Sequence, residues 1–143
     1  MQIRVVLDYR SPYAYLANTQ IRLLSAPIKY EPVDILWVMK QVNNQPSPMC
    51  PPKAKYARLD ATRWVRQYDV PFSPNGRLIE AMKLGQFKND LLSCAGIAAQ
   101  KLGVFERGNN ALFDAVWAEV VADQKRQDEL TPTEPDRLCL TKT

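Results

Sequence analysis

Ser11 and Pro12 lie where the apolar run QIRVVL (residues 2–7) gives way to the amphipathic stretch PYAYLANTQIRLLS (12–25). Serine is a strong helix N-cap and proline suits the first helical position, so the simplest role for the pair is to start a helix. The place has a second use. The C-terminal end of a parallel strand, facing a helix N-terminus, holds anionic ligand atoms in many α/β proteins. The helix end carries partial positive charge and N–H groups that no turn of the helix has claimed. A hydroxyl there can donate to an anion, and could hold an external thiolate and lower the pKa of its thiol. Ser11 is a poor nucleophile itself, because the chain contains no histidine to activate it. The same absence excludes imidazole acid–base chemistry and His-ligated metals. The three cysteines, Cys50, Cys94 and Cys139, are far apart and form no C-x-x-C pair. Neither a dithiol redox site nor a thiolate zinc site is expected.

The elements that must position Ser11 are legible around it. Residues 2–7 have apolar character on both faces, as strands of parallel sheets do. Tyr13, Leu16, Ala17, Leu23 and Leu24 recur at helical spacing over 12–25. IKYEPVDIL (28–36) predicts a second strand, with Pro32 at its beginning or on an edge. Together they predict a β-α-β unit. The stretch NNQPSPMCPP (43–52) holds four prolines, which excludes a helix interior or a central strand. It reads either as a linker or as a rigid loop presenting ligand contacts.

Beyond it the chain reads as helical. Ala57, Ala61, Trp64, Val65 and Tyr68 form one apolar stripe, and Phe87, Leu91, Cys94, Ala95, Ala98 and Leu102 form a second, with Gly103 as its cap. Leu112, Ala115, Val116 and Val120 form a third. These are expected to be core. Residues 123–143 are too polar to offset their ordering entropy and are expected to form a disordered tail. Two strands make no independently stable sheet. The pattern therefore predicts either a partner chain that covers the open edge or a chain shortened relative to its design.

With 46% apolar and 24% charged residues, the composition is that of a globular domain. The net charge of +4 is spread without a basic block, which argues against nucleic acid as a partner. No apolar run is long enough for a bilayer, so no membrane partner is expected. Met1-Gln2-Ile3-Arg4 lacks the features of a signal peptide, and a cytoplasmic location is expected.

LDYRSPYAYLA (7–17) resembles the opening of the 2-hydroxychromene-2-carboxylate isomerase and kappa-class glutathione transferase family, with its DFxSPYSYLA pattern. The resemblance continues through PVDILWVMKQVNNQPSPMCPPKAKY (32–56) and DATRWVRQYDVPFSPN (60–75), and holds to about ALFDAVWAE (111–119). It implies an α/β, thioredoxin-like fold carrying a large inserted helical subdomain. Residues 1–42 would form the N-terminal half of the thioredoxin-like domain and 43–122 the helical subdomain. It also implies a homodimer that binds glutathione and a small aromatic substrate. In the family a serine stands where related disulfide oxidoreductases have a redox cysteine, and it contacts the glutathione sulfur. Ser11 matches that serine. Asn44 matches the loop asparagine and Lys53 the lysine that contacts glutathione, its ammonium suiting a carboxylate. Without the flanking match Lys53 reads as an exposed lysine at a helix start. Tyr56 is carried over too, although a tyrosine facing the helical core would look the same.

The implied reaction is a thiol-assisted cis–trans isomerisation: glutathione adds to the ring-opened substrate, the resulting single bond rotates, and elimination ensues. It needs a lowered thiol pKa and stabilisation of a developing enolate. Two departures stand out. Asn43 replaces the usual glycine, a mild change because asparagine tolerates left-handed backbone. The family's GVPTF-type cis-proline loop, two strands and final helix are not found, so the C-terminal strands are expected to be missing. Besides the isomerase, a kappa-type transferase and a non-catalytic relative acting through dimerisation or partner binding remain open.

Overall fold

The computed structural model describes residues 2–86 and 90–118. β1 (Ile3–Leu7) and β2 (Ile28–Pro32) pair in parallel, from Ile3 opposite Ile28 to Leu7 opposite Pro32, and α1 (Pro12–Ile21) connects them. They are the two strands of the sheet among the described residues. The remaining elements are helices: α2 (Ile35–Gln41), a 3-10 turn (Ser47–Met49), α3 (Pro51–Tyr68), α4 (Gly76–Lys83), α5 (Asp90–Lys101) and α6 (Phe105–Trp117). No helix among the described residues is long and apolar enough to cross a membrane. The expected tail, 123–143, lies outside the described residues.

Several elements differ from what apolar spacing predicts. The second strand stops at Pro32, its last residue, rather than running to 36. Asp34 turns the chain into α2 by accepting the Leu36 and Trp37 N–H groups (3.1 and 3.2 Å). α1 ends at Ile21 rather than 25, and Leu23 and Leu24 are exposed in the turn after it. Its buried face is Tyr15, Leu16, Asn18 and Thr19, while Tyr13 and Ala17 point outward. Apolarity alone misplaced that face because Asn18 is buried through pairing: Asn109 Nδ2 donates to Asn18 Oδ1 (2.8 Å), and Asn18 Nδ2 donates to Asn110 Oδ1 (3.0 Å). The proline-rich stretch yields the 3-10 turn, then lends Pro51 and Pro52 to the first turn of α3, where no backbone N–H is required. α4, capped by Asn75 on the Leu78 N–H (2.9 Å), is an element that the apolar spacing does not reveal.

The core gathers Leu7, Tyr9, Tyr15, Leu16, Ala61, Leu78, Met82, Phe113, Val116 and Trp117. Trp117 is its anchor: the ring stacks on Phe72 with centroids 5.7 Å apart, and Nε1 donates to the Tyr9 carbonyl (2.8 Å). The stripe expected on α5 does not face this core. Leu91, Cys94, Ala98 and Leu102 are exposed, Ala95 is half-buried, and Phe87 lies outside the described residues. α5 instead turns Gly96 and Ala99 inward, because the inner face has room only for small residues. In α6 the expected Ala115 is likewise exposed, and Val120 lies outside the described residues. Gly103 takes φ +70° after α5, as a capping glycine does.

The Gly96 contact is testable. A Cβ there would come within 2.5 Å of the Tyr9 hydroxyl oxygen, a fully buried group with no hydrogen-bond partner among the described residues. Burial alone pushes the Tyr9 phenol up to about 12. Gly96→Ala should lower stability by about 1–3 kcal/mol through overpacking. Adding Tyr9→Phe should restore most of it, since that hydroxyl has no bond to lose among the described residues. Urea unfolding of the single and double variants checks both.

Candidate active site

The site begins at the turn between β1 and α1. Leu7 to Arg10 are all buried, so the chain leaves the strand inside the protein and surfaces at half-buried Ser11. Ser11 caps α1: its Oγ accepts the Ala14 N–H (3.2 Å) and its carbonyl accepts the Tyr15 N–H (3.1 Å). Pro12 has no N–H. Tyr13 therefore carries the first-turn backbone donor for which the described residues supply no partner. Because Oγ is the acceptor in its cap bond, the hydroxyl proton remains available to donate. A proton donor, an N–H and the positive end of a helix dipole thus converge at the end of β1.

Three charged residues that motif reasoning overlooked hold this turn. Asp8 and Arg10 are buried side by side. Asp8 Oδ1 accepts both the Arg10 backbone N–H and Nε (each 2.9 Å), and Oδ2 accepts Nη2 (2.6 Å). Asp8 Oδ2 also takes the Ile35 N–H, the first of α2 (2.8 Å). Arg10 Nη2 reaches across to Asp34 Oδ1 (2.5 Å), the same oxygen that caps α2. One guanidinium therefore joins the N-termini of α1 and α2. The D-x-R spacing at the strand end was the available signal, but the partner Asp34 is 24 residues away.

The cluster has a pH signature. Partial burial pushes the Asp34 carboxyl up, but the Arg10 hydrogen bond, the Trp37 and Leu36 N–H groups and the Arg10 charge outweigh it and hold the group below its ordinary value. A carboxylate depressed in the folded state contributes stability above its unfolded pKa, and that contribution drains as pH falls through the folded value. Urea midpoints should therefore drop on acidification below about pH 4. Asp34→Ser should show a shallower drop over the same range.

The other expected site residues lie on the loop and helix after α2. Asn43 has φ +52°, the left-handed conformation that makes it an acceptable stand-in for glycine. Asn44 Oδ1 accepts the Gln45 N–H (2.8 Å) and Lys53 Nζ (3.1 Å), and Lys53 Nζ also lies 3.5 Å from the Gln45 carbonyl. Asn44 and Lys53 are thus brought together. Both are exposed, and Lys53 forms no ion pair with an acidic group among the described residues. Tyr56, one turn further along α3, is 63% exposed and does not enter the core. α1 and α3 are locked where the Tyr13 hydroxyl donates to Asp60 Oδ2 (3.0 Å). With that bond, burial and the Asp60 charge, the Tyr13 phenol is pushed up to about 12, burial being the largest cause. Lys53 stands two helical turns before Asp60, about 10 Å along the axis of α3.

Residues 2–132 match the family model of the DSBA-like thioredoxin domain. The chain belongs to that family. This DSBA-like thioredoxin chain is 27% identical over 129 residues to 2-hydroxychromene-2-carboxylate isomerase of Pseudomonas putida, covering 85% of the chain and 59% of the relative. It superimposes on the solved structure of a 2-hydroxychromene-2-carboxylate isomerase with a TM-score of 0.68 at 22% identity, over 83% of this chain and 57% of that one. The chain thus spans under two thirds of the length of both relatives. The fold is thioredoxin-like and mixed α/β, with mostly helices and a small sheet. Both comparisons return proteins named 2-hydroxychromene-2-carboxylate isomerase.

Proposed function

We propose that this protein acts as a glutathione-dependent isomerase of the 2-hydroxychromene-2-carboxylate type. One observation carries the reading: Ser11 caps α1 with its oxygen and keeps its proton to offer, where the helix end favours an anion. Glutathione bound there would supply a thiolate able to add reversibly to a conjugated, ring-opened substrate and free a bond for rotation.

The chain's own residues suit that group. The Ser11 hydroxyl and the Tyr13 N–H can each donate to sulfur, stabilising the thiolate over the thiol. Among the described residues Lys53 meets neutral oxygens, those of Asn44 and Gln45, so its charge suits a carboxylate. Asn44 fixes the direction of the ammonium. Tyr56 presents an exposed ring one turn from Lys53, a surface on which an aromatic substrate can pack.

Calorimetric titration of the 143-residue chain with glutathione tests the reading. Binding, with turnover of 2-hydroxychromene-2-carboxylate that depends on added glutathione, is expected. A folded protein that binds no glutathione would overturn it.

A further inference from the structure

We infer that Arg10 is a positioning residue that keeps the Ser11 turn in register with the loop carrying Asn44 and Lys53, through its shared grip on Asp8 and Asp34. The inference deepens the proposed isomerase function and rests on it. The path is continuous. Asp8 binds the backbone N–H of Arg10, the residue just before Ser11, and also the Ile35 N–H that opens α2. Arg10 binds Asp34, whose same oxygen caps α2. α2 runs to Gln41, and the Asn44 N–H bonds back to the Met39 carbonyl (2.8 Å). Asn44 then holds Lys53. The turn meant for the sulfur and the lysine meant for a carboxylate are thereby referred to one buried guanidinium.

The planar fork explains why arginine serves here. It binds Asp8 through Nε and Nη2 while Nη2 also reaches Asp34, a span that a single ammonium cannot reproduce. A ligand touching both ends of the site feels any loss of register as weaker binding, whereas the chemistry at sulfur, once seated, does not change.

Two variants test this. Asp34→Ser keeps an oxygen that can cap α2 but removes the carboxylate. Arg10→Lys keeps the charge beside Asp8 but loses the fork. Each is expected to raise KM for glutathione about tenfold, with kcat within about twofold, equivalent to about 1.4 kcal/mol of lost binding. Amide hydrogen exchange at Ala14 and at Leu36 should accelerate together, a readout independent of turnover. Folding of each variant is checked by its thermal transition. Unchanged KM in a folded variant would overturn the inference, as would faster exchange at Leu36 with Ala14 still protected. Failure of the parent protein to bind glutathione would overturn the functional reading itself, which separates the two results.

Discussion

Arg10→Met should destabilise the protein by roughly 3–5 kcal/mol, because it leaves the Asp8 carboxylate buried beside an apolar side chain. Both members of the pair have only 2% of their side-chain surface exposed. Asp8 would keep two backbone N–H bonds, from residue 10 and Ile35, but lose its hydrogen bonds from the guanidinium Nε and Nη2. Two N–H groups do not replace a full positive charge at low dielectric. Asp8→Asn alone should also be costly, since it sets the buried guanidinium against a neutral amide in place of its fully buried counterion. The Asp8→Asn/Arg10→Met double variant should be more stable than the sum of the single losses, because no buried charge is left without its counterion. Urea denaturation of the four proteins measures this cycle. Additive losses would mean that the pair contributes packing rather than mutual neutralisation.

Ser11→Ala should separate two roles of one side chain. As an N-cap, Ser11 contributes about 0.5–2 kcal/mol to stability. As a donor to the proposed thiolate, its removal should raise the thiol pKa and lower turnover at neutral pH about tenfold per pKa unit lost. The melting temperature therefore falls modestly while turnover at neutral pH falls by a larger factor. Ser11→Asp tells the roles apart more sharply. Aspartate caps helices as well as serine does, so stability should hold, but its carboxylate repels a thiolate. Ser11→Thr retains both the cap and the hydroxyl and should keep activity. Glutathione-dependent turnover measured beside thermal melting distinguishes the three. If Ser11→Ala and Ser11→Asp lose stability and activity in proportion, Ser11 is a cap and nothing more.

Much of this arrangement is legible in the chain itself. The QIRVVL run, Ser11, Pro12 and the apolar residues after them are local signals: a strand pattern, a capping side chain and a proline that needs no N–H. Each acts within a few residues, so sequence order is enough to read it. The motifs that resemble those of the isomerase family put Asn44 and Lys53 on one loop and helix start, and the two side chains do meet. Local reading failed where a polar group was buried or an apolar one exposed. Asn18 is buried because Asn109 and Asn110 arrive from α6, some 90 positions later. Leu91 and Leu102 are exposed because α5 is oriented by the close approach of Gly96 to Tyr9, which no helical period encodes.

By itself the amino-acid order determined the β-α-β opening, the helical character of α3, α5 and α6 and the identity of the cap at the head of α1, since these rest on bonds between near neighbours. The tertiary structure alone decided which faces are buried and what holds the site in register. Asp8, Arg10 and Asp34 look like ordinary surface charges in sequence. They become a clamp around a buried guanidinium because the parallel pairing of β1 with β2 brings the ends of both strands, and so the starts of α1 and α2, side by side, where burial of Asp8 and Arg10 makes neutralisation obligatory.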